Sequence, residues 1–269
     1  MSYKSYTVAA IIPAHNEEQA IAKVVTDLAG LECPHTQQRL LDRIIVCDNA
    51  STDATAKAAQ QAGANVYHEF RKGYGFACLR GIDKLNTAEQ TPPDLVVFVD
   101  GDNSANPQDL PKLLDKLIDG NDLVVGARQT HLQEANAISP HQQFGNWLAS
   151  GLIRFIWGEQ VSDLGPFRAI RYRSLKLIDM QDQRFGWTVE MQVKVIQAGM
   201  AYAEVPVITK QRIGKSKISG TVRGTIGAAI GIFGKIFTLF ALQPVFKLQL
   251  RESRSFLDSS LENSAKRSL

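Results

Sequence analysis

The stretch LVVFVDGDN, residues 95–103, decides the fold and contains the first candidate site. Its apolar run leads directly into Asp100-Gly101-Asp102. An unbroken run of β-branched and aromatic residues is typical of a strand buried on both faces, as in a parallel sheet. Open α/β sheets bind ligands at the carboxyl ends of their strands, which is where these two carboxylates fall. Because Asp100 and Asp102 are spaced at i and i+2, both carboxylates can reach one divalent cation. The tripeptide Asp-Gly-Asp by itself, without the preceding strand, favours a surface turn.

Apolar runs alternate with helical patterns on both sides of this stretch. Residues 7–12, 43–47 and 65–68 read as strands, with amphipathic helices between them. This β-α-β-α-β order predicts an α/β fold with a mostly parallel sheet flanked by helices. The segment 129–143 lacks apolar periodicity and is predicted to be a long loop.

Polar segments follow the predicted strands or precede the next helix, at residues 13–18, 48–53, 72–75 and 100–102. In a parallel sheet these segments lie at one edge, so we expect them to converge on one crevice. Asp48 is placed to accept a hydrogen bond from a nucleobase or a ribose. Asn16 is expected to cap the first helix. Glu190 and Lys194, four residues apart, are equally consistent with a helical ion pair.

The composition sets the class of protein. With 269 residues, of which 44% are apolar, the chain is long enough for one large α/β domain with an appendage. A net charge of +3 does not call for a nucleic-acid partner. Three scattered cysteines without CxxC spacing predict reduced thiols in the cytoplasm, and no cleaved signal peptide is expected.

The C-terminal part differs in composition from the rest. We divide the chain into a main domain, 1–218, an apolar helical extension, 219–250, and a disordered polar tail, 251–269. Within the extension, Lys235 interrupts the apolar run, so no charge-free segment reaches the roughly 18 residues of a membrane span. We therefore expect this extension to contact a membrane surface or a second subunit.

Seven motifs then point to one family. They are IIPAHNEE (11–18), VCDNASTDAT (46–55), KGYGFACLRG (72–81), VFVDGDN (97–103), VVGAR (124–128), SDLGPFRAI (162–170) and RIGKSKI (212–218). In their order and spacing they resemble the family-2 glycosyltransferases, which have the GT-A fold. The resemblance implies an inverting transfer from a UDP- or GDP-sugar that depends on Mg²⁺ or Mn²⁺.

The resemblance also implies roles for individual residues. The donor would be bound by Pro13, Ala14, Asn16, Glu17, Asp48, Lys72, Asp100 and Asp102. Asp100 and Asp102 match the metal-binding D-x-D pair of the family. The positions that face the donor diphosphate or an acceptor phosphate are Arg128, Arg212, Lys215 and Ser216.

The later motifs resemble one subgroup, the polyprenyl-phosphate (dolichyl-phosphate) mannosyl- and glucosyltransferases. Their acceptor is a lipid phosphate, so the resemblance implies an enzyme peripheral to the cytoplasmic face of a membrane. A phosphate acceptor is already anionic, so no base has to remove a proton from it. It instead needs cationic side chains such as Arg128 to bring it close to the anionic donor. If the acceptor is instead a hydroxyl of a soluble sugar or glycan, a carboxylate base is required. Asp163 is then the first candidate for this base and Glu190 the second.

A non-catalytic nucleotide-binding scaffold is the alternative from another class. The paired carboxylates Asp100 and Asp102 argue against it, because a scaffold needs no metal at the diphosphate. A sugar nucleotidyltransferase shares the layered α/β plan, but that class usually has a glycine-rich phosphate loop after its first strand. The segment PAHNEE, residues 13–18, contains no glycine.

Overall fold

The computed structural model describes residues 3–33, 38–87, 91–134, 137–214 and 222–250. Seven strands within these residues form one mixed sheet. They are β1 (Val8–Ala14), β2 (Arg43–Asp48), β3 (Asn65–His68), β4 (Leu95–Phe98), β5 (Leu123–Gln133), β6 (Arg168–Arg171) and β7 (Tyr202–Thr209). Their order across the sheet is β3-β2-β1-β4-β6-β5-β7. Only β6, among these strands, runs antiparallel to its neighbours β4 and β5.

The register of the parallel strands brings the polar segments together. Ala14 at the end of β1 lies beside Asp48 at the end of β2, and Ile11 lies beside Phe98 at the end of β4. The segments after β1, β2 and β4 therefore leave the sheet at the same edge. The predicted mostly parallel sheet is confirmed, and β4 is buried along its whole length, as its uninterrupted apolar run indicates.

Helices cover both faces of the sheet. Those in the described chain are α1 (Ile21–Ala29), α2 (Thr55–Gln61), α3 (Tyr74–Asp83), α4 (Leu110–Ile118), α5 (Pro140–Trp157), α6 (Tyr172–Ile178), α7 (Trp187–Gln197), α8 (Val222–Ala241) and α9 (Gln243–Leu250). Apolar side chains of α1 and α4 pack on one face, and those of α3, α6 and α7 pack on the other. A third apolar cluster joins α5, α7 and α8.

The prediction of a long loop over residues 129–143 was wrong. Strand β5 continues to Gln133, where it pairs with Thr209 of β7, and α5 begins at Pro140. The register between β5 and β7 shifts after Arg128. Such an irregularity interrupts the alternation of apolar and polar residues that marks a regular strand. Ser139 and Gln142 form a capping box at the start of α5, a signal that the sequence did carry.

The C-terminal helical extension is confirmed for the described residues, where α8 packs against α7 and α5. None of the described helices is by itself long and apolar enough to cross a membrane. Ala229–Ala241 and Gln243–Leu250, bent by 66°, meet the length and composition criteria only as a pair. The predicted tail, 251–269, lies outside the described residues.

Candidate active site

The loops after β1 and β2 are joined by hydrogen bonds. Asn16 adopts a left-handed conformation, with φ of 53°, and its Oδ1 accepts the N–H of Thr52 at 2.8 Å. Next to it, the Glu17 N–H donates to Oγ1 of Thr55 at 2.8 Å. The prediction that Asn16 caps α1 was therefore wrong, because α1 begins at Ile21 with Ala20 as its N-cap residue, and the Asn16 side chain bridges two loops instead.

Asp48 ends β2 with its carboxylate almost fully buried. Its Oδ2 lies 3.1 Å from Nδ1 of His68, while its Oδ1 has no hydrogen-bond partner in the part of the chain that is described. A buried carboxylate oxygen without a partner is costly, so this site favours a ligand that supplies an N–H or O–H group.

Asn49 positions the loop that carries Lys72. Its Nδ2 donates to the carbonyl oxygen of Arg71 at 2.7 Å, and its Oδ1 accepts the N–H of Gly73 at 2.8 Å. Lys72 consequently lies at the wall of the crevice.

Asp100 and Asp102 follow β4 at the centre of the crevice. Tyr74 Oη donates to Asp100 Oδ1 at 3.1 Å, and the Ser104 N–H donates to Asp102 Oδ1 at 2.9 Å. Burial, followed by the charge of Asp102, raises the pKa of Asp100 to about 7. A second negative charge beside Asp102 is therefore unfavourable in this poorly solvated site unless a positive charge is bound there.

Arg212 neutralises part of that charge from the other side of the crevice. Its Nη1 lies 3.3 Å from Asp102 Oδ2, and its Nη2 donates to Glu17 Oε1 at 2.9 Å. The Ile213 N–H also donates to the carbonyl oxygen of Asp102 at 2.9 Å. The segment after β7 is thus held against the end of β4.

Arg128 forms a bidentate ion pair with Asp163. Its Nε and Nη2 donate to the two oxygens of Asp163 at 2.8 and 2.7 Å, and its backbone N–H donates at 2.7 Å. Burial disfavours the charged form of Arg128, but the charge and hydrogen bonds of Asp163 prevail and raise the pKa of Arg128. Asp163 is 2% exposed, so the pair is largely desolvated.

Two cavities adjoin at the carboxylates. The first, of about 330 Å³, is lined by Pro13, Ala14, His15, Glu17, Asn49, Lys72, Gly73, Tyr74, Ala77, Gly101 and Phe185. The second, of about 430 Å³, is lined by Arg128, by residues at the start of α5, by Pro166 and Phe167 and by residues of β7. Asp100, Asp102 and Arg212 line both cavities. A group bound in one cavity is therefore adjacent to a group bound in the other, across these three side chains.

The carboxylates suit a hard divalent cation. Two negatively charged oxygen donors in a buried site match the ligands that Mg²⁺ and Mn²⁺ prefer. No group of three or more His, Cys, Asp or Glu residues able to hold a metal occurs among the described residues. A cation held by Asp100 and Asp102 would therefore take its other ligands from phosphate and water, as is usual for Mg²⁺.

Not every predicted residue reaches the two cavities. Asn16 and Asp48 lie at the same edge of the sheet but line neither cavity. Glu190 lines a separate third cavity and is paired with Lys194, so the structure does not bring this candidate base to the crevice. Lys215 and Ser216 lie outside the described residues.

Several residues of the site were not predicted. Tyr74 contacts Asp100, and its position directly after Lys72-Gly73 was the available signal. Phe185 lines the first cavity from the segment before α7, for which the sequence offered no signal. Arg168 is fully buried and donates to the carbonyl oxygens of Gly165 and Thr188, which fixes the turn that carries Asp163.

Comparison with known proteins identifies the family. The family model described as "Glycosyl transferase family 2" matches residues 9–178, more than half of the chain. The chain belongs to glycosyl transferase family 2. This family 2 glycosyltransferase is therefore an enzyme of the class that its motifs indicated, and the matched residues include β1 to β6 with Asp48, Asp100, Asp102 and Arg128.

Curated relatives extend over most of this glycosyltransferase. A glycosyltransferase of Mycobacterium tuberculosis is 35% identical over 225 residues, 83% of this chain and 94% of the relative. A dolichyl-phosphate hexose transferase of Haloferax volcanii is 30% identical, over 83% of this chain and 90% of the relative. An undecaprenyl-phosphate mannosyltransferase of Micrococcus luteus is 28% identical, with the same coverage. The names of the Haloferax volcanii and Micrococcus luteus relatives support the resemblance to the polyprenyl-phosphate subgroup.

A solved structure confirms the GT-A type of fold. Glucosyl-3-phosphoglycerate synthase from Mycobacterium tuberculosis, crystallised with Mn²⁺, UDP and glucosyl-3-phosphoglycerate, superposes with a TM-score of 0.69. The match covers 87% of this glycosyltransferase and 80% of the synthase, at 21% sequence identity. The prediction of a mostly parallel GT-A sheet with flanking helices is thus confirmed.

Proposed function

We propose that this glycosyltransferase moves a sugar from a nucleoside-diphosphate donor to the phosphate of a polyprenyl phosphate, with a divalent cation at Asp100 and Asp102. The observation that carries the proposal is the pair of cavities that share these carboxylates and Arg212. Relatives named as polyprenyl-phosphate transferases, and a GT-A neighbour crystallised with Mn²⁺ and UDP, support the same assignment.

The first cavity suits the donor. Lys72 at its wall supplies positive charge for a diphosphate. Asp48 lies at the same edge of the sheet, and its partnerless Oδ1 suits an N–H of a pyrimidine or purine base. Asp100 and Asp102 also line this cavity, where the diphosphate would meet the cation. The cation supplies charge that stabilises the departing diphosphate.

In the proposed reaction a phosphate oxygen of the acceptor attacks the anomeric carbon of the donor sugar. The new carbon–oxygen bond forms as the bond to the diphosphate breaks, and the nucleoside diphosphate leaves with the electron pair. Because the acceptor oxygen is already anionic, no proton has to be removed. Arg128 and Arg212 bring two anionic substrates together and stabilise the charge that moves between them.

The state of Asp163 favours a phosphate acceptor over a hydroxyl acceptor. A general base needs a carboxylate oxygen within reach of the hydroxyl proton. Both Asp163 oxygens accept hydrogen bonds from Arg128, and Asp163 lines neither cavity. Glu190 lies at the third cavity. We therefore assign Asp163 to orienting Arg128, which lines the second cavity and suits a phosphate.

The second cavity opens beside an exposed apolar surface. Ile138, Ser139 and Gln142 line the cavity at the start of α5. Further along α5, Phe144, Trp147 and Phe155 are exposed, with the i, i+3 and i+11 spacing of one helix face. An amphipathic helix with exposed aromatic residues suits the surface of a bilayer, from which a lipid phosphate would enter this cavity.

The donor assignment predicts stabilisation by a nucleotide. UDP-, GDP- and dTDP-sugars, each with Mn²⁺ or Mg²⁺, are screened by thermal denaturation of the full chain. The matching donor, at about 100 times its Kd, is expected to stabilise the protein by about 2.7 kcal/mol. For a chain of this size the melting temperature should rise by roughly 5–10 °C. Chelation of the cation should remove most of the shift, and the absence of a shift with every nucleotide would contradict the donor site.

The acceptor assignment predicts that Phe155 contributes to lipid binding. Phe155→Ser is expected to weaken partition onto anionic phospholipid vesicles about 30-fold, because burial of a phenyl ring contributes roughly 2 kcal/mol. Phe70→Ser is the matched control, since Phe70 is 82% exposed and Phe155 is 89% exposed. Equal loss in both variants would contradict a specific role of the exposed face of α5. A wild type that binds no vesicles and glycosylates only soluble sugars would favour the hydroxyl acceptor.

A further inference from the structure

A buried ion pair outside the crevice contacts a loop that lines the first cavity, the proposed donor site. The loop is the segment 179–186, which we call the strap and which joins α6 to α7. Its residue Phe185 lines the first cavity. Glu190 and Lys194 of α7 lie beneath the strap, with Lys194 Nζ 3.0 Å from Glu190 Oε1. Their side chains are only 2% and 9% exposed.

Glu190 holds the strap through its backbone. Its Oε2 accepts the N–H of Gln181 at 3.0 Å and the N–H of Asp182 at 2.6 Å. Lys194 donates to the carbonyl oxygen of Asp179 at 2.6 Å. The two side chains of the pair therefore form hydrogen bonds with the backbone of three residues of the strap, so the pair fixes the path of the strap.

The strap in turn supports the loop that carries Lys72. The Phe76 N–H donates to the carbonyl oxygen of Gln183 at 3.1 Å. Gly73 and Gly75 pass so close that a Cβ on either would collide with a carbonyl oxygen of the strap. Such close approach of two backbones requires glycine and leaves little freedom to either segment.

We infer that Glu190 is a positioning residue for the donor: it sets the strap, and the strap sets the loop over the nucleoside diphosphate. This inference rests on the proposed donor site in the first cavity. Lys235 of α8 also contacts the strap, with its Nζ 2.9 Å from Asp182 Oδ2. The strap is thus bonded to α8 as well as to α7.

Two double variants separate positioning from simple stability. Both replace Lys194 by Met and so remove the buried charge that would otherwise be unpaired. Glu190→Gln/Lys194→Met keeps a side-chain oxygen for the N–H groups of Gln181 and Asp182, whereas Glu190→Leu/Lys194→Met has none. Calorimetry with UDP and with GDP, each with Mn²⁺, is expected to show a Kd within threefold of wild type for the Gln variant. The Leu variant should bind on the order of tenfold more weakly.

Further measurements keep the outcomes distinct. In the Leu variant the KM for the donor should rise and the KM for the acceptor should stay within twofold. The Phe76 amide should exchange its hydrogen at least tenfold faster in the Leu variant than in the Gln variant. Lys235→Ala, which leaves the buried pair intact, should also accelerate this exchange. Equal exchange and equal nucleotide affinity in the two double variants would overturn the inference. A wild type that binds neither nucleotide would instead contradict the proposed function, while the exchange of Phe76 still reports on the strap.

Discussion

Asp102→Asn is expected to lower the rate of sugar transfer by about 10²–10³-fold or more while leaving the fold intact. The substitution removes one of the two charges that would hold the cation, and it leaves Arg212 with Glu17 as its acidic partner. The Asn side chain still offers an oxygen to the Ser104 N–H, which now bonds Asp102 Oδ1. The loop after β4 should therefore keep its shape.

The measurement is a transfer assay with and without Mn²⁺, together with circular dichroism and the melting temperature of each variant. Asp27→Asn is the control, because Asp27 is a carboxylate on the outer face of α1 that pairs only with Lys23 in the described structure. Asp27→Asn should transfer sugar at the wild-type rate. A wild type whose rate is unaffected by chelation, together with an active Asp102→Asn variant, would refute the metal role.

Arg128→Met is expected to reduce transfer at least about 10²-fold and also to lower the free energy of unfolding by about 3 kcal/mol. The loss of stability follows because Asp163, 2% exposed, keeps its charge but loses the guanidinium that neutralises it. In Arg128→Met/Asp163→Asn no buried charge is left unpaired, so most of the stability should return. Activity should not return, because the Arg128 guanidinium, which we propose faces the acceptor phosphate, is still absent.

Asp163→Asn alone then separates the two acceptor chemistries. If Asp163 only orients Arg128, its removal should cost about tenfold in rate, since Arg128 still lines the second cavity. If Asp163 is a general base for a hydroxyl acceptor, its removal should cost as much as or more than Arg128→Met. Urea denaturation of the three variants gives their free energies of unfolding, and initial rates give their losses of transition-state stabilisation. An Arg128→Met variant that retains full activity would exclude Arg128 from the reaction.

Much of the fold follows from local patterns in the sequence. The buried runs of β1, β2 and β4 have no alternation, so a parallel sheet was the expected arrangement, and their carboxyl ends had to share an edge. Asp100 and Asp102 could be placed at the crevice for the same reason. The loop error at residues 129–143 arose because a register shift between β5 and β7 hides the period of a strand.

The contacts across the crevice could not be predicted in the same way. Arg212 bonds Glu17, which lies almost 200 residues earlier, and Phe185 lines the first cavity from a loop without a recognisable motif. Glu190 lies in the predicted helix, but only packing decides that it faces Lys194 and the strap rather than the crevice. Such choices depend on tertiary geometry, which residue spacing does not report.

The common wall of the two cavities, formed by Asp100, Asp102 and Arg212, has a thermodynamic consequence. A ligand on either side changes the electrostatic field that the other ligand meets. The resulting coupling is reciprocal, so the donor alters the affinity for the acceptor by the same factor by which the acceptor alters the affinity for the donor. A cation bound with the proposed nucleotide donor would add positive charge to this wall and so strengthen the binding of an anionic acceptor in the second cavity.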